Sequence, residues 1–220
     1  VKANSEVGVY NLALNAVGET ANVSSPTENS RRAEVCRLWY ELVRDQVLEA
    51  APWPEATKMR RLALAQASDE DSWQIGDPQP GYAYAFALPA DCLRPQYLTD
   101  YGQFELLAES GVKQLHCNNP APILRYTAAQ TNVALWSNNL LMAIVYGLAG
   151  HIAQPLSGKT SMTNMLIQRA NDMILAARVN SANQPAHQVE AVPDWIVGRG
   201  YRHGQRIQFF YPSGSLLNVN

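Results

Sequence analysis

Every fourth position from 136 to 152 is large and apolar: Trp136, Leu140, Ile144, Leu148 and Ile152. That step lays the side chains along one side of a helix. Ala143, Gly147 and Gly150 run beside them, a strip small enough to let another backbone come close. A helix with this pattern must be surrounded, so the remaining elements have to wrap it. Its apolar run, 140–150, is too short to cross a bilayer and reads as a buried helix, so no membrane partner is expected. Pro155 is expected to end it, because proline removes an amide and crowds the preceding turn. Thr160 can then cap another helix, with Leu166, Ala170, Met173 and Ala177 on one face. The connection 154–159 is short enough to make the two helices an antiparallel pair.

A second helical pair is expected at the start of the chain. Ser5 can cap a helix over 6–17, on which Tyr10, Ala13, Leu14 and Val17 share a face. Gly18 suits the left-handed residue that closes such a helix. Ser25, Pro26, Thr27 and Glu28 form a capping box with proline at the first helical position. From there Cys36, Trp39, Tyr40, Val43 and Val47 recur at helical spacing, and the helix should stop before Pro52. The short loop 19–24 would make these two helices antiparallel neighbours, a helical hairpin.

Between the pairs the period changes. Residues 82–88 alternate aromatic with small side chains, the period of a strand. Segments 104–109 and 113–117 flank Ser110, Gly111 and Val112 and suit a hairpin, 123–127 is a further candidate strand, and 59–65 fits a strand or a helix, with strand favoured. Residues 68–81 are polar and rich in Asp, Pro and Gly, a loop. The expected fold class is therefore α+β, mainly α: antiparallel helical pairs, 5–51 and 132–180, forming a bundle. A small antiparallel sheet is inserted over 58–127, and an extended C-terminal arm follows over 181–220.

The arm combines Pro185, Pro193, Pro212 and several glycines with Trp195, Ile196, Phe209, Phe210 and Tyr211. Segments without a fold of their own rarely carry so many large apolar groups. These five residues are the expected docking anchors, on a partner or a neighbouring subunit.

The chemistry of catalysis is thin. Ser157, Gly158, Lys159 and Thr160 imitate the end of a phosphate-binding loop, but Ala153 stands where that loop needs a glycine. His116, His151, His187 and His203 are scattered without metal-binding spacing, and His151 is placed where a helix end would favour its charged form. His116 and Cys117 are adjacent, so in a strand they point to opposite faces. Asp69, Glu70 and Asp71 read as a solvated turn. No catalytic residue, cofactor or metal is expected. Two alternatives stay open: a small intracellular hydrolase with Cys117 or Cys92 as nucleophile, and a DNA-binding module.

Charge bears on the second alternative. The net charge is −2 and charged residues make up only 16% of the 220-residue chain, whereas groove binders are strongly basic. Lys58, Arg60 and Arg61 form one basic cluster, and Arg199, Arg202 and Arg206 a looser one. Both read as solvated faces. The three cysteines, Cys36, Cys92 and Cys117, are odd in number and widely spaced, which fits a reducing compartment. The first residues lack the apolar stretch of a secretory signal.

One ordered set of segments carries a resemblance. It runs through Asn11, Leu12, Ala13, Leu14, Asn15, Ala16, Val17, Gly18 and Glu19, then Val43, Arg44, Asp45, Gln46, Val47 and Leu48, then Pro52 and Trp53. It continues with Tyr84 to Arg94, in which Leu88, Pro89, Ala90, Asp91, Cys92, Leu93 and Arg94 are the sharpest part, and ends with Leu124, Arg125 and Tyr126. Over about residues 7–180 the chain resembles the tail tubular protein A, or head-to-tail adaptor, family of short-tailed bacteriophages. Pro54, Glu55 and Ala56 replace the aromatic-Ala that the family pattern has after Pro-Trp, and the 104–117 hairpin lacks a Gly-rich middle. The resemblance implies a structural virion protein of the neck, present in the host cytoplasm during assembly. It further implies a homo-oligomeric ring, twelve-fold, that binds the portal protein above and the tail nozzle, a tail tubular B-like protein, below, with tail fibres as a further contact. Double-stranded DNA would pass through its lumen unread, since lysine and arginine lining such a channel would grip phosphates.

Overall fold

The computed structural model describes residues 3–67, 78, 80–109, 112–158 and 160–182. The chain divides into two units, Val1–Asn183 and Gln184–Asn220, and the described residues belong to the first. Their elements are α1 (Glu6–Val17), α2 (Arg31–Ala50), β1 (Thr57–Arg61), β2 (Ala63–Ala67), β3 (Tyr84–Ala87), β4 (Cys92–Leu98), β5 (Phe104–Glu109), β6 (Val112–Cys117), β7 (Ile123–Ala128), α3 (Asn138–Ser157) and α4 (Thr160–Ala182). Short 3-10 turns at Pro54–Ala56 and Val133–Leu135 lead into β1 and α3.

The helical ends follow local chemistry. The Ser5 hydroxyl accepts from the Gly8 amide at 3.2 Å, and Gly18, at φ 91°, closes α1 in the left-handed region. The start of α2 lies later than its first capping signal. Glu28 reaches back to the Ser24 amide at 2.7 Å, and its own amide donates to the Ser25 carbonyl, so the expected capping box closes as an isolated turn. Ser30 is the actual cap, accepting from Ala33 at 3.3 Å. Its register puts Ala33, Cys36, Tyr40 and Val43 into the core. At the far end Pro52 and buried Trp53 turn the chain, with the indole donating to the Val47 carbonyl at 2.8 Å.

Helix α3 is the axis of the body. Leu140, Ile144, Leu148 and Ile152 are fully buried among α1, α2 and α4. A Cβ on Gly147 would stand 2.9 Å from Val43 of α2, and one on Gly150 would stand 2.6 Å from Ile167 of α4. The strip of small residues therefore serves two neighbours. The helix is longer than expected, because Pro155 lies inside it. A proline this near the end costs a single backbone bond, and Gly158 caps the helix beyond it by donating to Gln154. At 20 residues α3 is long and apolar enough for a bilayer by length and composition, yet 56% of its most apolar window is buried inside the protein. Here it is a core helix. The expected α1–α2 hairpin is also revised. Both helices lean on α3, and they meet each other chiefly through Tyr10 edge-on to Tyr40 at 5.3 Å. The chain from Gly18 to Ser30 between them is tied to α1 where Asn11 exchanges two bonds with the Val23 backbone.

The fold class expected from sequence is overturned. Among the described residues four helices stand beside seven strands in two antiparallel sheets, a mixed α/β fold and not a mainly α bundle with one small sheet. One sheet has the order β1-β7-β4 and the other β2-β3-β6-β5. Two features hid this. Leu62 divides the single strand expected at 59–65 into two that join different sheets. Strand β4 was obscured because it contains Pro95 and two register shifts against β7. The expected hairpin is present as β5 and β6. Leu62, Phe86, Leu98, Leu115, Cys117, Leu124, Tyr126 and Ala128 make one core between the sheets.

Candidate interaction surfaces

Burial pushes the thiols of Cys36 and Cys92 up to about 12 and about 11, and raises that of Cys117 as well. All three therefore hold their protons at neutral pH, the opposite of an activated cysteine. Cys117 faces the core between the sheets, while His116 lies on the other side of β6, level with Ala85 and Glu105. Of the phosphate-loop mimic, Gly158 is the cap of α3 and the Ser157 hydroxyl donates to the Ala153 carbonyl at 2.7 Å. His151 does not sit at a helix end, because α3 runs on to Ser157. It stacks on Trp39 at 4.6 Å, and loss of solvent lowers its pKa and favours the neutral ring. The expected docking anchors Trp195, Ile196, Phe209, Phe210 and Tyr211 lie outside the described residues, as do Asp69, Glu70, Asp71, Arg199, Arg202 and Arg206.

What the body does present is a set of apolar side chains left in solvent. On α2, Leu38 and Leu42 are four apart and 72% and 59% exposed. They lie about 200° around the helix from Cys36 and Tyr40, the residues that fill the core. On α4, Leu166 and Ala170 are buried, while Leu175 and Val179, again four apart, are exposed. A groove of about 400 Å³ runs between α2 and α4 over Val43, Val47 and Ile174, with Gln46 and Arg178 at its rim. Arg178 donates to the Ala50 carbonyl at 2.6 Å, supplying α2 with the C-terminal cation its own last turn lacks.

The Leu38–Leu42 stripe is flanked by acid. Glu41, Asp45 and Glu49 step by four along the same helix, where like charges repel. Arg44, nearly buried and lying over the Tyr40 ring, pairs with Asp45 at 2.8 Å. Among the described residues, the side chains of Glu41 and Glu49 make no hydrogen bond or ion pair.

The opposite character appears on β1, the outermost strand of its sheet. Lys58, Met59, Arg60 and Arg61 are all exposed. Lys58 reaches Asp91 at 2.7 Å. Among the described residues, the side chains of Arg60 and Arg61 make no hydrogen bond or ion pair. By register Met59 shares a face with Arg125 and Tyr97. The Arg125 guanidinium lies 5.4 Å over the Tyr97 ring and donates to its hydroxyl at 2.9 Å. Tyr101 stacks on Tyr97 at 5.6 Å, held there by a backbone at φ 56° that a bulky residue seldom adopts. The exposed stripes were legible in part: Leu38 and Leu42 repeat by four in the sequence beside the stripe assigned to the core. The pairing of Met59 with Arg125 and Tyr97 needed the register.

No family model and no curated protein matches the chain.

Proposed function

We propose that this protein is a structural subunit of a bacteriophage neck, an adaptor between portal and tail nozzle, and that it carries no catalytic activity. The observation that carries the reading is the exposure of large apolar side chains at helical spacing on α2 and α4 of a body whose own core is closed. Side chains of that size set in repeating stripes mark surfaces that another protein covers. A chain with charged residues at only 16% is suited to spending its working life inside an assembly. The resemblance in segments 11–19, 43–48, 52–53, 84–94 and 124–126 supplies the assembly: a ring below the portal, extending the channel through which DNA leaves.

The test is to mix the full chain with capsid–portal particles of the phage that encodes it and to image the portal vertex. The expected result is an added ring at that vertex, lost when 183–220 are removed while the helical circular dichroism of the body persists. Bare portal vertices at every concentration of the full chain would overturn the proposal.

A further inference from the structure

One face of the β1-β7-β4 sheet gathers cations and aromatic rings and holds no acid. The register places Met59 and Arg61 of β1, Arg125 of β7, and Arg94 and Tyr97 of β4 on the same side. Tyr101, just past β4, adds its ring by stacking on Tyr97 at 5.6 Å. No strand residue on that side is Asp or Glu, in a chain whose 19 acids outnumber its 17 lysines and arginines. We propose that this face binds single-stranded DNA, with a base stacked on the tyrosine pair and phosphates held by Arg61 and Arg94.

Three observations point to that ligand. The side chains of Arg61 and Arg94 are exposed and, among the described residues, make no hydrogen bond or ion pair, so their charge is open to an anion. They stand at opposite corners of the face, since their partners on β7 are Ile123 and Thr127. Two strands across and four residues along put their backbones about 17 Å apart by the spacings of a sheet. That span exceeds one phosphate group and suits a chain of them. The third observation is Tyr101, more than half exposed and held at φ 56°, where a bulky residue is strained. Fastening the sheet accounts for Tyr97 and Arg125, which bond each other. It does not account for an exposed second ring kept within 6° of parallel to the first. Cations set beside stacked aromatic rings make the sites that take single strands of any sequence. A duplex hides the faces of its bases, so only a separated strand can use both features. An acidic protein segment would satisfy the arginines and leave the tyrosine pair unused. The inference goes beyond the adaptor reading and rests on it only for the choice of DNA over RNA.

The test is fluorescence anisotropy of the full chain with labelled oligo(dT), long enough at about 20 nucleotides to cover any such site. The wild type is expected to bind it, more weakly as salt rises. Arg61→Ala and Arg94→Ala should each lower the slope of log affinity against log salt by about 0.7, one phosphate contact apiece. Tyr101→Ala should weaken binding about tenfold or more and leave that slope unchanged, because stacking releases no ions. Tyr101→Phe keeps the ring and should bind as the wild type does. Circular dichroism confirms that each variant is folded, and all three side chains are exposed. Four results would each overturn the inference: no binding in low salt, Tyr101→Ala as tight as wild type, arginine variants with an unchanged slope, or a duplex or polyglutamate chain bound as tightly as oligo(dT). The last would reduce the face to a general attraction for polyanions. Tighter binding of oligo(U) than of oligo(dT) would overturn the choice of DNA. Portal particles play no part in the readout. Strand binding without attachment to such particles would sink the neck reading and leave this face assigned to single strands, and attachment without strand binding would do the reverse.

Discussion

Leu140, Ile144 and Leu148 disappear between helices on both sides of α3, whereas the sheets share a core of only a few large side chains, led by Phe86, Leu115, Leu124 and Tyr126. The sheet half makes up the difference with polar fasteners. Asp91 takes Lys58 at 2.7 Å on one oxygen and the Tyr126 hydroxyl at 3.0 Å on the other, joining the end of β4 to β1 and β7. Asn118 bonds the Ala83 amide and the Gly81 carbonyl, and Asn119 bonds Asp100. One half is closed by volume and the other by specific donors and acceptors. Substitutions should therefore hurt them by different mechanisms and to different degrees.

The largest effect is expected at Trp136, fully buried with its indole donating to the Gln130 carbonyl at 3.1 Å. Trp136→Ala should cost about 3–5 kcal/mol in urea unfolding, the toll of a large cavity. A smaller loss would mean that the helical core can collapse around a void. Next comes Gly150→Ala. The new methyl would meet Ile167 at 2.6 Å, with the Ile167 backbone nitrogen close behind at 3.4 Å. Overpacking should cost about 1–3 kcal/mol, partly offset by the better helix propensity of alanine, about 1 kcal/mol. A stabilised variant would show that α4 can slide away from α3.

The sheet half should respond most gently and with a pH signature. Asp91→Ala leaves the buried Tyr126 hydroxyl without its acceptor, at about 1–2 kcal/mol, most of it from that hydroxyl because the Lys58 pair is solvent-screened. Lys58 is the chief cause holding the Asp91 carboxyl below the ordinary range, with Tyr126 adding to it. A carboxyl lowered by folding lends stability above its unfolded pKa and loses it as pH falls through the folded one. The wild type should therefore lose stability below about pH 4 by more than Asp91→Asn does. Parallel acid titrations of the two proteins would sink the contrast between halves.

These differences also explain what the sequence disclosed. The burial of α3 was readable because four-residue spacing and small residues are local signals, and so were the caps at Ser5 and Gly18. The start of α2 was misplaced because two capping signals stand five residues apart, and only packing of Cys36 and Tyr40 selects the later. The second sheet was invisible because its existence depends on a break at one apolar residue and on pairings between segments far apart. The candidate surfaces were half legible. Leu38 and Leu42 repeat in the sequence, but an apolar repeat does not declare which side faces water. The sharpest part of the resemblance contains Asp91, whose place in this body is to fasten a sheet.

Leu62 is the whole of the link between β1 and β2, which belong to different sheets: β1 ends at Arg61, β2 begins at Ala63, and the Leu62 amide is spent on the Pro122 carbonyl at 3.1 Å. So short a bridge sets the phase of β2 against β1. One added amino acid there would rotate Leu64 and its alternate neighbours to the reverse side of their strand, while a matched pair of additions would preserve the phase and lengthen the span. This joint works as a gear tooth, and the chain can be lengthened at it only in even steps.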